Sequence, residues 1–289
     1  MTQYQQYQNQ VETALATAIP KGIPSPLFEA MEYSLLSPGK RLRSILLLAA
    51  YAMVKEDVSA VMPFATSIEM IHAYSLIHDD LPALDNDDFR RGKPSNHKVF
   101  GEDIAILAGD ALLNLAYETM LSSNHKNALQ AALVVAKAAG VLGMIKGQVL
   151  DVVSEGATHS LEDAKTLLTK IHENKTAKLI TAPLHAGLLL ADASQNEVEH
   201  IISFGKNIGI AFQIIDDLLD VIGNKEVLGK SVGKDSEADK LTWTKIYGIE
   251  KSREHAKQYT QSALEALACF GERADFLRKL ATDMLQRVH

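Results

Sequence analysis

Cysteine, leader-like sequence, membrane-length apolar runs and strand patterning are all scarce in this chain. One cysteine, Cys269, stands in 289 residues, so no disulfide can close within the chain and a reducing compartment, the cytoplasm, is expected. Met1 to Gln10 is polar and glutamine-rich, with neither the basic region nor the apolar stretch of a secretory leader. The longest wholly apolar run, Ile45 to Val54, falls far short of the roughly 20 residues that cross a bilayer, so no stable membrane insertion is expected. Lys and Arg number 29 against 36 Asp and Glu, a net charge of −7, which argues against nucleic acid as a partner. No Ser- or Pro-rich linker divides the chain. At 47% hydrophobic and 22% charged it has the makings of a sizeable core, and a single domain over residues 1–289 is expected.

What is there is helical. Apolar residues recur at helical spacing, and strand alternation bounded by turns is nearly missing. Val11 to Ile19 is amphipathic and stops at Pro20. Ser25-Pro26 starts a helix that ends at Ser37-Pro38-Gly39. A strongly apolar helix is predicted from about Lys40 to Val54, and a fourth from beyond Ser59 into Asp79, ended or kinked by Pro82. Further helices are predicted over Glu102 to Leu121, Lys126 to Ser154, Leu161 to Leu190 and Gln195 to Ile222, with two more near Lys251 to Ala268 and Ala274 to Val288. Ser160 and Asp163 have the spacing of a helix-capping pair. The pattern predicts an all-α bundle of about ten helices, with Ile45 to Val54 and Ile208 to Ile215 in its middle.

Two acidic clusters emerge from apolar helices. The first holds five aspartates between Asp79 and Asp88: Asp79, Asp80, Asp85, Asp87 and Asp88. The second is Phe212-Gln213-Ile214-Ile215-Asp216-Asp217-Leu218-Leu219-Asp220, where Asp216 and Asp220 share a helix face. Either cluster alone reads as well as a solvated helix end. Two of them, each delivered by an apolar helix, point to divalent cations held by oxygen ligands and carrying a phosphate. Asp79 and Asp85 are six positions apart, about 120° around a straight helix, so they share a metal only if the helix ends between them. Pro82 supplies that end. Asp87 and Asp88 are left for Arg90, Arg91 or solvent.

Cations complete the pattern. Gly39-Lys40-Arg41-Leu42-Arg43 places Lys40 and Arg43 on one face, with Gly39 allowing close backbone approach to a ligand. Arg90 and Arg91 follow the first cluster. Lys175 and Thr176 lie inside a helical stretch, and Lys230, Lys234 and Lys240 decorate a polar loop after the second cluster. Arg forms forked bonds to phosphate oxygens and Lys acts as a point charge. Surface patches and simple ion pairs are the plain alternatives for each. His72 lies two turns before Asp79 on the same face, as a core histidine or a diphosphate contact. Gly147-Gln148-x-x-Asp151 adds a polar pair within an apolar helix.

In this order, over about 200 residues, these motifs resemble those of the trans-prenyltransferases, the isoprenyl diphosphate synthases, and most of all the bacterial farnesyl-forming members. The resemblance implies a helical bundle around a deep cavity, a homodimer, several Mg²⁺ ions per site, and isopentenyl and allylic diphosphates as substrates. It implies that Asp79, Asp85 and Asp216 bind metal, with Asp80 beside them and Asp217 and Asp220 nearby or acting through water. Arg90, Lys175, Thr176, Gln213 and Lys230 resemble allylic-side contacts, Lys40, Arg43, His72 and Arg91 the isopentenyl diphosphate site, and Lys240 a diphosphate contact from a closing loop. Pro38 stands where the family often has glycine, and Trp243-Thr244 where Tyr-Pro is common.

The expected reaction is head-to-tail condensation: metals and cations neutralise the departing diphosphate, and a dry apolar cavity protects the allylic cation. Tyr74, five residues before Asp79 and about 7.5 Å up the helix, is the expected floor for the growing chain, with Ser75 beside it. Core packing is the plain alternative for Tyr74. The bulky ring points to a C15 product, with C20 as the alternative. A non-catalytic prenyl synthase subunit and a terpene cyclase are the competing functions. Both acidic motifs are complete, against the first, and Lys40 and Arg43 would be idle in the second.

Overall fold

The computed structural model describes residues 1–222 and 240–286. Helix α1 (Gln3–Leu15) starts earlier than its apolar pattern predicts, because Thr2 and Gln5 form a capping box and Tyr7, Val11 and Leu15 give it one buried stripe. Helix α2 (Ser25–Leu35) carries Pro26 in its first turn, as predicted. Arg41, at φ 49°, turns the chain into α3 (Leu42–Ala52), which is buried from Ser44 to Tyr51. A short 3₁₀ turn (Val58–Val61) leads into α4 (Met62–Asp79).

Helix α4 ends at Asp79, before Pro82, so the predicted interruption is an end and not a kink. Past the first acidic cluster the chain forms a hairpin of β1 (Phe89–Arg90) and β2 (Lys93–Pro94). Its two turn residues, Arg91 and Gly92, both have positive φ, the combination that matches strand twist. Then come α5 (Asn96–Phe100) and α6 (Glu102–Leu121). The single helix predicted over Lys126 to Ser154 is two, α7 (Ala128–Ala139) and α8 (Met144–Ser154), parted at Gly140 to Gly143.

Helix α9 (Leu161–Ile171) begins at Ser160, whose hydroxyl accepts from the Asp163 N–H. It continues through a π-helical turn (His172–Ala177) into α10 (Lys178–Leu190). Helix α11 (Gln195–Ile222) runs for 28 residues, followed by α12 (Trp243–Tyr247), α13 (Ile249–Ala266) and α14 (Asp275–Leu285).

Helix α10 packs on α3, α7 and α11, while α4 lies between α3 and α6. The larger core fills this centre, and a smaller one, around Leu168, Ile214, Leu218 and Trp243, closes the far end of α11. Backbones approach closely where the site is built: a Cβ on Gly147 would lie 2.1 Å from Lys175 N. Among the described residues three stretches, Val58–Asp79, Glu102–Leu121 and Ala128–Ser154, are long and apolar enough to cross a membrane by length and composition, although polar residues interrupt each of them. In the first of them 67% of the apolar window is buried within the fold.

Candidate active site

Beyond the end of α4 the chain doubles back, and the Asp85 N–H donates to the Asp79 carbonyl at 2.9 Å. This return brings the two aspartates to one place despite their spacing. Gln148 Nε2 donates to Asp79 Oδ1 at 2.5 Å, and Lys240 Nζ to Asp85 Oδ1 at 2.8 Å. Burial pushes the Asp79 carboxyl up, with repulsion from Asp85 adding to it and Lys175 opposing. Burial works the same way on Asp85, but Lys240 outweighs it and holds that carboxyl low.

Asp80, expected beside Asp79 among the metal ligands, turns the other way. It is buried in an ion pair with Arg90, whose Nε donates to Oδ1 at 2.9 Å. Arg90, expected on the substrate, is thus engaged by Asp80 and, at 3.2 Å, by Asp87. Asp88 pairs with Lys98 at 2.7 Å.

The π turn joins this cluster to the second. Lys175 Nζ donates to Asp151 at 2.6 Å and lies in the field of Asp79 and Asp85. Burial disfavours its charge, but Asp79 and Asp151 prevail and raise its pKa. Next to it, Thr176 Oγ1 donates to Gln213 Oε1 at 2.8 Å, and Gln213 Nε2 donates to Asp217 Oδ1 at 3.1 Å. One extra residue per turn presents Lys175 to α8 and α4 and Thr176 to α11, the kind of use π turns have at functional sites. Asp217 and Asp220 are buried, whereas Asp216 is half-buried. Gln148 and Asp151, both within the Gly-Gln-x-x-Asp motif, join the site residues expected from the sequence, and the motif itself was the signal.

A separate cationic cluster lies at the start of α3. His72 Nε2 sits 3.3 Å from Arg43 Nη1 and 3.5 Å from Arg91 Nη2. Guanidinium groups only donate, so this nitrogen accepts and the ring is neutral. Burial, then Arg43 and Arg91, drive the His72 pKa well below its ordinary value. Burial likewise pulls Arg43 down to about 10, Glu69 opposing and Arg91 assisting, and its Nε is buried with no partner among the described residues. Arg41, between the predicted Lys40 and Arg43, is structural: it pairs with Glu12 at 2.7 Å and Glu69 at 3.6 Å. Helix α1 clamps the loop, since Gln8 donates to the Gly39 carbonyl and Tyr4 to that of Lys40. A cavity of about 30 Å³ lies beneath, lined by Glu69, His72, Asp80, Arg90 and Arg91.

Tyr74 is buried, edge-on to His78 with ring centroids 5.7 Å apart, and burial, then Tyr117, push its pKa to about 12. Ser75 Oγ donates to the His72 carbonyl at 2.8 Å. Lys230 lies outside the described residues.

Among the described residues no group of three or more His, Cys, Asp or Glu side chains is gathered for a metal. The donors stand as carboxylates with Lys175 and Lys240 beside them. That suits Mg²⁺, which takes one or two carboxylates and fills its shell with water and substrate phosphate oxygens.

The chain belongs to the polyprenyl synthetase family, whose model matches residues 24–276. It is 47% identical over 267 residues to the heterodimeric geranylgeranyl pyrophosphate synthase large subunit 1, chloroplastic, of Arabidopsis thaliana, covering 90% of this chain and 71% of the relative. It is 41% identical over 282 residues to the geranylgeranyl diphosphate synthase of Cyanophora paradoxa, covering 96% and 93%. The geranyltransferase of Helicobacter pylori, solved with magnesium and isoprenyl diphosphate, superposes with a TM-score of 0.84 at 30% identity, covering 99% of this chain and 97% of that one. The fold is the all-helical isoprenoid synthase fold.

Proposed function

We propose that this chain is a short-chain prenyltransferase that joins isopentenyl diphosphate head to tail to allylic diphosphates. The observation that carries the reading is the pair of separate anion sites, Arg43–His72–Arg91 and Asp79–Asp85 with Lys175 and Lys240. A reaction between two diphosphates needs both.

In this reading Arg43, Arg91 and Lys40 bind the diphosphate of the attacking substrate, and neutral His72 orients the two guanidinium groups. Asp79, Asp85 and Asp216 would hold Mg²⁺, which would supply neutralisation of charge on the leaving diphosphate. Lys175 and Lys240 add fixed positive charge there, and Thr176 and Gln213 position the polar rim. The apolar residues of α4, α6 and α11 keep water from the allylic cation.

For the product, the geranylgeranyl names of the Arabidopsis and Cyanophora relatives support C20 over the C15 expected from Tyr74. The buried placement of Tyr74, with His78 of its own helix at its edge and Tyr117 of α6 close by, agrees with that, since it makes the ring part of the α4–α6 packing. C15 stays as the second reading, favoured by the size of that ring and by the geranyltransferase of H. pylori. Purified protein given dimethylallyl and isopentenyl diphosphates with Mg²⁺ decides it by chromatography of the dephosphorylated products. A C20 alcohol is expected. A C15 alcohol selects the second reading, and no diphosphate release rejects the function.

A homodimer is part of the proposal. Leu107 on α6, Leu129 and Leu133 on α7, Val141 and Leu142 between α7 and α8, and Val149 on α8 are all exposed apolar side chains, available for burial against a second copy. Sedimentation at twice the monomer mass is the expected result.

A further inference from the structure

Asp217 follows Asp216 in the second acidic motif, yet its surroundings differ. Its side chain is buried and both oxygens are used: Oδ1 accepts from Gln213 Nε2 at 3.1 Å, and Oδ2 accepts from the Trp243 N–H at 2.7 Å. His172 Nε2 lies 3.7 Å from the same Oδ2. The His172 ring stacks on the Trp243 indole, centroids 5.5 Å apart and planes 22° from parallel. The indole is fixed from its other end, where Nε1 donates to His255 Nδ1 at 2.8 Å. Trp243 comes three residues after Lys240, whose ammonium reaches Asp85 on the opposite motif.

We propose that Asp217 is a positioning residue and not a metal ligand: its carboxylate latches the Trp243 backbone to α11 and thereby sets where Lys240 meets Asp85. The proposal rests on the reading of Asp79 and Asp85 as part of the diphosphate site. Three residues span at most about 10 Å, so a shift of Trp243 is passed on to Lys240. The Trp243 N–H is buried, and without Asp217 it has lost its acceptor. His172 of the π turn stacks on the Trp243 indole, so the latched tryptophan also abuts the turn that carries Lys175.

Asp217→Ala removes the acceptor. Asp217→Asn keeps it: the amide oxygen faces Trp243, its NH₂ faces Gln213, and Gln213 turns over so that its own oxygen accepts and its NH₂ donates to the Thr176 hydroxyl. Trp243 is the sole tryptophan, so its emission reports the latch without a label.

The experiment compares wild type with both variants by tryptophan emission, by Mn²⁺ titration with inorganic diphosphate followed by electron paramagnetic resonance, and by steady-state kinetics. Asp217→Ala is expected to shift Trp243 emission to longer wavelength and to lower kcat with the KM for isopentenyl diphosphate unchanged, because the Arg43–His72–Arg91 cluster is untouched. Asp217→Asn is expected to keep wild-type emission, to recover part of kcat, and to bind Mn²⁺ within about threefold of wild type, under the tenfold or more that a lost ligand or its supporting partner costs. A loss of Mn²⁺ affinity of about tenfold or more in Asp217→Asn with wild-type emission overturns the proposal and makes Asp217 a ligand. Unshifted emission in a folded Asp217→Ala overturns it as well. Where circular dichroism shows that Asp217→Ala fails to fold, Asp217→Asn decides alone. Emission and Mn²⁺ binding need no turnover, so a chain that elongates nothing rejects the proposed function and leaves the latch readable.

Discussion

Gly39 and Arg91 interlock: a Cβ built on Gly39 would lie 2.8 Å from Arg91 Nη1 and 3.1 Å from Cζ. The glycine is there for space, and what fills the space is the guanidinium that donates toward His72. Because the obstacle is the far end of a flexible side chain, the fold can yield. Gly39→Ala is therefore expected to raise the KM for isopentenyl diphosphate about tenfold, ~1.4 kcal/mol of binding, with kcat little changed. Thermal melting should stay near wild type. A KM effect confined to the allylic substrate contradicts the assignment of this cluster.

Gly147 makes the opposite case. Its Cβ would lie 2.1 Å from Lys175 N and 2.5 Å from Lys175 Cα, which are backbone atoms of the π turn. Neither helix can move aside alone. Gly147→Ala is expected to cost about 3 kcal/mol and to lower Tm by roughly 6 °C or more. Calorimetry checks this, and a melt unchanged from wild type contradicts the close approach.

His172 ties stability to pH. Burial, with Lys175 nearby, lowers its pKa from 6.5 to about 3. The folded chain then binds fewer protons than the unfolded chain, so this contribution is complete above pH 6.5 and is lost as pH falls toward the folded value. By pH 5 the loss from this one ring is about 2 kcal/mol. Urea unfolding at pH 7 and pH 5 measures it. In His172→Phe, which keeps a ring on Trp243, the drop should shrink by that amount, and an unchanged drop rules His172 out as its source.

The acidic motifs were legible in the sequence because their constraint is local. Six positions between Asp79 and Asp85 with Pro82 between them demand a helix end, and α4 ends at Asp79. The π turn was not legible. A single extra residue shifts the apolar phase by about 100°, but the step falls on the polar run His172 to Thr176, where no apolar side chain marks it, and only the backbone shows which helices Lys175 and Thr176 meet. Nor could the sequence apportion its charges. Asp80 and Arg90 both read as site groups and instead neutralise each other, and Arg41 reads like its neighbours Lys40 and Arg43 but is buried against Glu69. Which cation meets which carboxylate depends on burial, and burial here is set by contacts far apart in the chain, such as Glu12 on Arg41 and Lys240 on Asp85.

Tyr74 is where product length and packing can be separated. The ring is buried on α4, its edge against His78, with Tyr117 of α6 close enough to raise its pKa. As packing, its loss leaves a hole: Tyr74→Ala is expected to cost about 3 kcal/mol of stability, read by urea unfolding. As a floor for the chain, its loss would instead lengthen the product. With C20 as the wild-type product, the expected chromatogram of Tyr74→Ala shows the same C20 alcohol at lower yield, which places the stop elsewhere in the cavity. Wild type that stops at C15, together with a variant that runs on to C20, reverses the assignment and makes this ring the residue that sets what is made. The two measurements are independent, so a destabilised variant with altered products is read on both axes, first by its unfolding curve and then by its alcohols.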